Sequence, residues 1–308
     1  MSLSEPIYPP LVMPDSVMRE KVTIWSSGVA LDGDVYRPRV AQPSAPAIVL
    51  CHGFGGSKLT GERYAAKFAE AGMIALTFTQ STWFGSAPQI RMRRETRLEI
   101  SVDASPQVDL VRDVVDPIAW IQNFLAAVDY IEGEPGVDPE RIGAWGTSFG
   151  GGTAMHCAAN DARIRALSVQ VANVAPLSGA MLALAKQRAI ASARGSYDPV
   201  AQGFDPAPGL PGFADLGKWT QYNPLSQLDR LSVPTSMIDA GEEKMFAISE
   251  NSGRAYEILK EKHGQIARYE VIPGIDHYGI YFDGYDRSSK LALEWFERHL
   301  LERGQESS

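Results

Sequence analysis

Two apolar runs that each end in a glycine-rich loop constrain this chain more than any other feature. The first is AIVLCHGFGG, residues 47–56, and the second is RIGAWGTSFGGG, residues 141–152. A continuous apolar run of this length fits a strand buried on both faces, because a half-exposed strand alternates apolar with polar residues. Strands of that kind belong to parallel sheets whose crossover helices cover both faces.

The remainder of the chain has the same rhythm. EKVTIWSSGVALDGDVYRPR (20–39) predicts two antiparallel strands with a glycine at the bend. GERYAAKFAEAG (61–72) predicts a helix stopped by Gly72, followed by the strand MIALTFTQ (73–80). RDVVDPIAWIQNFLAAVDYI (112–131) has helical spacing, and Pro117 either bends it or marks where the helix begins. RALSVQVA, PTSMIDAG and ARYEVIPG read as further strands, and RSSKLALEWFERHLLERG (287–304) as a terminal amphipathic helix. The predicted class is α/β, a mainly parallel central sheet flanked by helices.

One segment breaks the rhythm. GAMLALAKQRAIASARG is helical in composition, and DPVAQGFDPAPGLPGFADLGKW is rich in proline and glycine. A stretch this long without a strand of the sheet predicts a small cap insertion over residues 178–222 on a core of 1–177 and 223–308. Packing against the sheet edge is the alternative.

Several functions are disfavoured. A net charge of −8 argues against a nucleic-acid surface spread over the protein. The basic run RMRRETR (91–97) reads as a solvated loop or helix face, or else as an anion-recognising rim. The N-terminus lacks the basic start and apolar run of a secretory signal, and no apolar stretch is long enough to span a membrane. Cys51 and Cys157 lie within a predicted strand and a predicted helix, so buried thiols are expected rather than a disulfide. A cytoplasmic protein follows. There is no HExxH, CxxC or aspartate-rich calcium loop, and HGFGGSK lacks P-loop spacing, so neither a metal nor a nucleotide cofactor is expected.

The chemistry centres on GTSFG. A strand ending at Trp145, a turn holding Ser148, and the helical GGGTAMHCAAN place a serine on a sharp strand-to-helix turn. Gly146 and Gly150 keep side chains out where strand and helix approach, and the hydroxyl projects above the carboxyl end of the sheet. A helix-capping serine is the plainer reading.

With HGFGG at the end of the first apolar run, and the order serine, acid, histidine along the chain, the sequence resembles the α/β-hydrolase superfamily from about Val22 to Leu300. Its layout is similar to dienelactone-hydrolase-like and prolyl-peptidase-like esterases and the fungal polyketide transferases related to them. The resemblance implies oxyanion donors at the N–H groups of Phe54 and Phe149. It also implies a general base at His277, in the loop VIPGIDHYGIYFDG. An imidazole is needed there because a serine hydroxyl is a poor nucleophile at neutral pH. His52 is expected to organise its turn, and His156, His263 and His299 to pack or face solvent. For the acid, the resemblance points to the loop after PTSMIDAG. Glu243 comes first, standing where an aspartate is usual, then Glu242, then Asp239, which still lies in the strand; Asp276 is expected to structure its loop.

The implied reaction is acyl transfer from an ester, thioester or activated amide of a small acyl substrate to water, through an acyl-Ser148 intermediate. Trp83 and Phe84 could form an apolar wall after the MIALTFTQ strand, and Tyr278 or Tyr281 could line a pocket beside His277 or equally pack into the core. Relatives often begin that first loop with an acidic residue or arginine, whereas this chain has Gln80, Ser81 and Thr82. Met181, Leu182 and Leu184 suggest a moderately hydrophobic substrate, or simply the core of the cap. An acyltransferase would use the same residues, and a homodimer is compatible with the sequence. A protein that kept the fold only to bind ligands would be expected to have lost a member of the triad.

Overall fold

In a computed structural model, the sheet is built outward from the two apolar runs. The structure describes residues 8–40, 43–93, 107–197, 205–206, 210–263 and 267–302. The hairpin β1 (Val17–Ser26) and β2 (Val29–Pro38) opens the fold. Next come β3 (Ala45–Cys51), α1 (Glu62–Glu70) and β4 (Ile74–Phe78). A short ribbon of β5 (Gln89–Met92) and β6 (Val108–Val111) and the two-residue β7 (Val114–Val115) precede α2 (Pro117–Glu132). Then follow β8 (Val137–Thr147), α3 (Phe149–Asn160) and β9 (Ile164–Gln170). The 178–222 segment holds α4 (Gly179–Ala193), β10 (Asp205–Pro206), β11 (Phe213–Ala214) and α5 (Leu216–Trp219). The chain closes with β12 (Thr235–Ala240), α6 (Ser252–His263), β13 (Ala267–Ile272) and α7 (Tyr285–Phe296).

The main sheet has eight strands in the order β1-β2-β4-β3-β8-β9-β12-β13. From β4 to β13 neighbours are parallel, and β2 pairs antiparallel with β4 to carry the hairpin at one edge. The apolar runs form the centre, with Val49 opposite Ala144 and Cys51 opposite Gly146. Successive strand residues point to opposite faces. Ala47, Val49 and Cys51 therefore join Trp120, Phe124 and Met155 of α2 and α3 in one core. Ile48 and Leu50 join Tyr64, Phe68 and Phe296 of α1 and α7 in the other. Each fully buried side chain of this size contributes about 1.5–3 kcal/mol, so the two layers explain why both runs are continuous.

Pro117 begins α2 rather than bending it. Its missing N–H costs nothing in the first turn, and Asp116 Oδ1 caps the helix by accepting from the N–H groups of Ile118 and Ala119 at 3.0 and 3.2 Å. Gly72 follows α1 at φ +97°, a left-handed conformation that suits glycine.

The 178–222 segment adds no strand to the main sheet but carries two short strands of its own. β10 and β11 pair antiparallel, and β11 runs parallel to β7 of the core, making a small second sheet. Two-residue strands carry no periodicity, so composition cannot reveal them. The segment is also tied down by charge: Lys218 pairs with Asp116, Arg91 with Asp215 at 3.4 Å, and Arg188 with Asp205 at 2.9 Å. Of the basic run, Arg91 lies in β5 and residues 94–97 lie outside the described residues. Cys51 and Cys157 are free and buried. No helix among the described residues is long and apolar enough to cross a membrane.

Candidate active site

The turn between β8 and α3 is dictated by its glycines. A Cβ on Gly146 would lie 2.4 Å from the carbonyl oxygen of Gly150, and one on Gly150 would lie 2.1 Å from that of His52. No side chain fits in either place, so the strand and helix meet in backbone contact. Ser148 sits in the turn at φ 53°, ψ −126°, a conformation costing on the order of 1–3 kcal/mol for a non-glycine residue. Backbone bonds hold it there. Its N–H donates to Gln170 O at 3.0 Å, and its carbonyl accepts from Gly151 and Asn173 N–H groups at 2.9 and 3.0 Å. Its side chain makes no capping bond to α3, so the hydroxyl is not spent as a helix cap.

The hydroxyl faces an imidazole. His277 Nε2 lies 3.1 Å from Ser148 Oγ, and His277 Nδ1 lies 2.6 Å from Glu243 Oε2. The side chains of His277 and Glu243 are 6 % and 2 % exposed, so little water competes for either contact. Phe246 and Tyr278 pack edge-on against the imidazole from ring centroids 5.5 Å away. The acid arrives from the loop after β12, which is anchored by the N–H of Gly241 donating to Ile272 O and that of Glu242 donating to Ile275 O.

The other candidate acids are elsewhere. Glu242 is exposed. Asp239 is fully buried in β12, where it accepts from Ser252 Oγ and Tyr269 OH, each at 3.0 Å. Burial pushes its carboxyl up to about 7 against the opposing effect of those hydrogen bonds. Asp276 Oδ1 accepts from the Gly279 N–H at 2.9 Å and so shapes the histidine loop.

His52 is buried with both ring nitrogens committed. Nδ1–H donates to Gly53 O at 2.8 Å, and Nε2 accepts from the Gln80 N–H at 3.0 Å. Burial holds its pKa down at about 4, so it is neutral and has no lone pair to offer a substrate. His156 is half-buried with its pKa lowered by burial, His299 lies beside Trp295, and the side chain of His263 lies outside the described residues.

The loop after β3 lies against the serine turn. A Cβ on Gly53 would come 2.9 Å from Ser148 Cβ, so the backbone just before Phe54 runs in close contact with the serine turn. Phe149 begins α3, where N–H groups have no intrahelical partner. Its ring is clamped between Trp120 and Trp219, at 5.1 and 4.9 Å.

Trp83 is not an open wall. It is completely buried: its Nε1–H donates to Val114 O at 3.1 Å, and its ring packs edge-on beneath Phe54 at 6.0 Å. A Cβ on Gly212 would collide with it, so the 178–222 segment closes over its far side. Phe84 is half-buried at φ 37°, and Tyr278 is 50 % exposed. Tyr281 is buried, its hydroxyl spent on Thr147. Gln80 donates to Cys51 Sγ and accepts from Asn123, whose amide also donates to Ser81, so this loop is braced by neutral groups. Over the loop after β3, Phe54 packs with Leu177, Leu184, Leu216 and Trp219, and Pro211 crowds Gly55. Met181 stays exposed. No group of three or more His, Cys, Asp or Glu side chains among the described residues is arranged to hold a metal ion.

Comparison with known proteins agrees with this architecture. The dienelactone hydrolase family matches residues 31–176, and the prolyl oligopeptidase family matches residues 119–303, more than half of the chain. The quorum-quenching protein AidA of Acinetobacter baumannii is 30% identical over 146 residues, 47% of this chain and 41% of that protein. The thiohydrolase aneE of Aspergillus aculeatus is 30% identical over 139 residues, 45% of this chain and 36% of that protein. The chain thus spans less than half the length of these curated relatives. The crystal structure of a hypothetical protein from Pseudomonas aeruginosa superposes with a TM-score of 0.68 at 20% identity, covering 97% of this chain and all of that one. The chain has the α/β-hydrolase fold and belongs to the prolyl oligopeptidase family.

Proposed function

We propose that the protein is a serine hydrolase that cleaves a carboxylic ester or thioester through an acyl-Ser148 intermediate. The observation that carries this reading is the relay from Glu243 through His277 to Ser148, with contacts of 2.6 and 3.1 Å. His277 Nε2 takes the proton from the Ser148 hydroxyl as Oγ attacks the carbonyl carbon, then returns it to the departing alcohol or thiol. Glu243 fixes the tautomer with the proton on Nδ1 and stabilises the imidazolium formed in the transition state. The N–H groups of Phe54 and Phe149 receive the developing oxyanion, each contributing about 3 kcal/mol to the transition state. Water then enters by the same relay and releases the acid.

The ester class is supported by the match to a family named for hydrolysing a dienelactone, a cyclic ester, and the thioester by the thiohydrolase relative. Residues 178–222 act as a cap over the oxyanion-side loop, and the cluster of Phe54, Leu177, Leu184 and Trp219 favours an apolar acyl group. Two free buried thiols fit a reducing, cytoplasmic setting. The test is to quench the protein with a slowly deacylating aryl ester and map the adduct by mass spectrometry. An acyl group on the Ser148 peptide is expected. Acylation elsewhere, or none, contradicts the reading.

A further inference from the structure

The loop bearing His277 is joined to the turn bearing Ser148 by a second contact. The hydroxyl of Tyr281, four residues after His277, lies 2.6 Å from Oγ1 of Thr147, the residue before Ser148. Gln170 reaches the same turn twice: its side-chain amide donates to Thr147 Oγ1 at 3.4 Å, and its carbonyl accepts the Ser148 N–H at 3.0 Å. Tyr64 OH donates to Gln170 Oε1 at 2.8 Å and lies 2.7 Å from Ser288 Oγ in α7. All five side chains are buried.

We infer that Tyr281 is a positioning residue, acting through the Thr147 hydroxyl to hold the Ser148 turn and the His277 loop in register. The inference rests on the proposed roles of Ser148 and His277. A serine in a strained conformation keeps it only where its surroundings over-determine it. The backbone bonds fix Ser148 relative to β9, but the 3.1 Å approach to Nε2 also depends on where the histidine loop sits. Among the described residues, the side-chain hydrogen bonds between that loop and the turn are the one at the reacting atoms and the one from Tyr281 to Thr147. A hydroxyl pair shielded from water is suited to this, because a satisfied buried polar network is directional where apolar packing is not. Tyr8, edge-on to Tyr281 at 5.5 Å, backs the ring from the other side.

The test uses the full chain and a fluorophosphonate probe, reading the second-order rate of Ser148 modification per folded molecule alongside kcat and KM for an aryl ester. Tyr281→Phe and Thr147→Val should each slow modification and kcat by about ten- to a hundredfold, the scale expected when reacting atoms shift by an ångström, with KM changed less than about twofold. The double variant should be no slower than the worse single one, since both remove one contact. Thr147→Ser, which keeps the hydroxyl, should recover most of the rate. If wild type is labelled at Ser148 and both single variants react within about twofold of it while melting lower, the hydroxyl pair is structural only and the inference fails. If wild type takes no label at Ser148, the hydrolase reading fails and this inference falls with it.

Discussion

Glu243 Oε2 lies 2.6 Å from His277 Nδ1, where an aspartate is the more usual partner in proteins of this fold. The longer arm reaches from a loop tied to β13 by the Gly241 N–H and to the histidine loop by the Glu242 N–H, which donates to Ile275 O, so the acid is held from its backbone as well as by the imidazole. Glu243→Gln keeps the size but loses the charge and presents a donor on one side. It should lower kcat by about 10³- to 10⁴-fold with little change in KM, measured on an aryl ester. Glu242→Gln should stay within about threefold of wild type, because that side chain is exposed and off the relay.

Gly150→Ala should destabilise the protein by about 3 kcal/mol or more, since the new methyl would overlap the His52 carbonyl at 2.1 Å with backbone on both sides. Gly28→Ala is the contrasting control. Gly28 has a positive φ, 81°, which Gly150 lacks, and open space around it, so only the left-handed strain of about 1–2 kcal/mol is expected. Urea unfolding of the two variants separates collision from strain.

Two buried groups give stability an opposing dependence on pH. His52 is held down at about 4 from an ordinary 6.5, so between those values the unfolded chain binds a proton that the native state refuses, and stability falls as the pH falls. Asp239 is raised to about 7 from 3.8, so the native state keeps a proton that the unfolded chain releases, and stability falls as the pH rises from about 4 to 7. Asp239→Asn removes only the second effect. The stability of this variant relative to wild type should therefore climb with pH across that window, by up to about 4 kcal/mol. A difference that stays flat from pH 4 to 7 contradicts the assignment.

Neither cysteine should react in the folded protein. Both thiols are buried, and burial pushes Cys51 up to about 12 and Cys157 well above its ordinary value, which suppresses the thiolate. A colourimetric thiol titration at pH 8 should find none in native protein and both after denaturation.

What was legible in the sequence is what local chemistry decides. AIVLC and RIGAW announce buried strands because nothing polar interrupts them, and GTSFG announces its turn because glycine alone fits at positions 146 and 150. Pro117 allowed either a bend or a helix start, and the Asp116 cap before it settles the start of α2. Tertiary approach decides the rest. Glu243, Glu242 and Asp239 are chemically alike and lie within five residues, and only the path of the loop brings one of them to Nδ1. Trp83 has the composition of a pocket wall, yet the 178–222 segment encloses it. The Tyr281 to Thr147 contact spans 134 residues and has no local signal. The β5–β6 ribbon and the short strands β7, β10 and β11 are too brief to show a period.

If Ser148 forms an acyl intermediate, p-nitrophenyl esters of increasing chain length should give a pre-steady-state burst of about one nitrophenol per protein molecule before steady turnover, lost in Ser148→Ala. Turnover without adduct, or a burst that survives in Ser148→Ala, would contradict it.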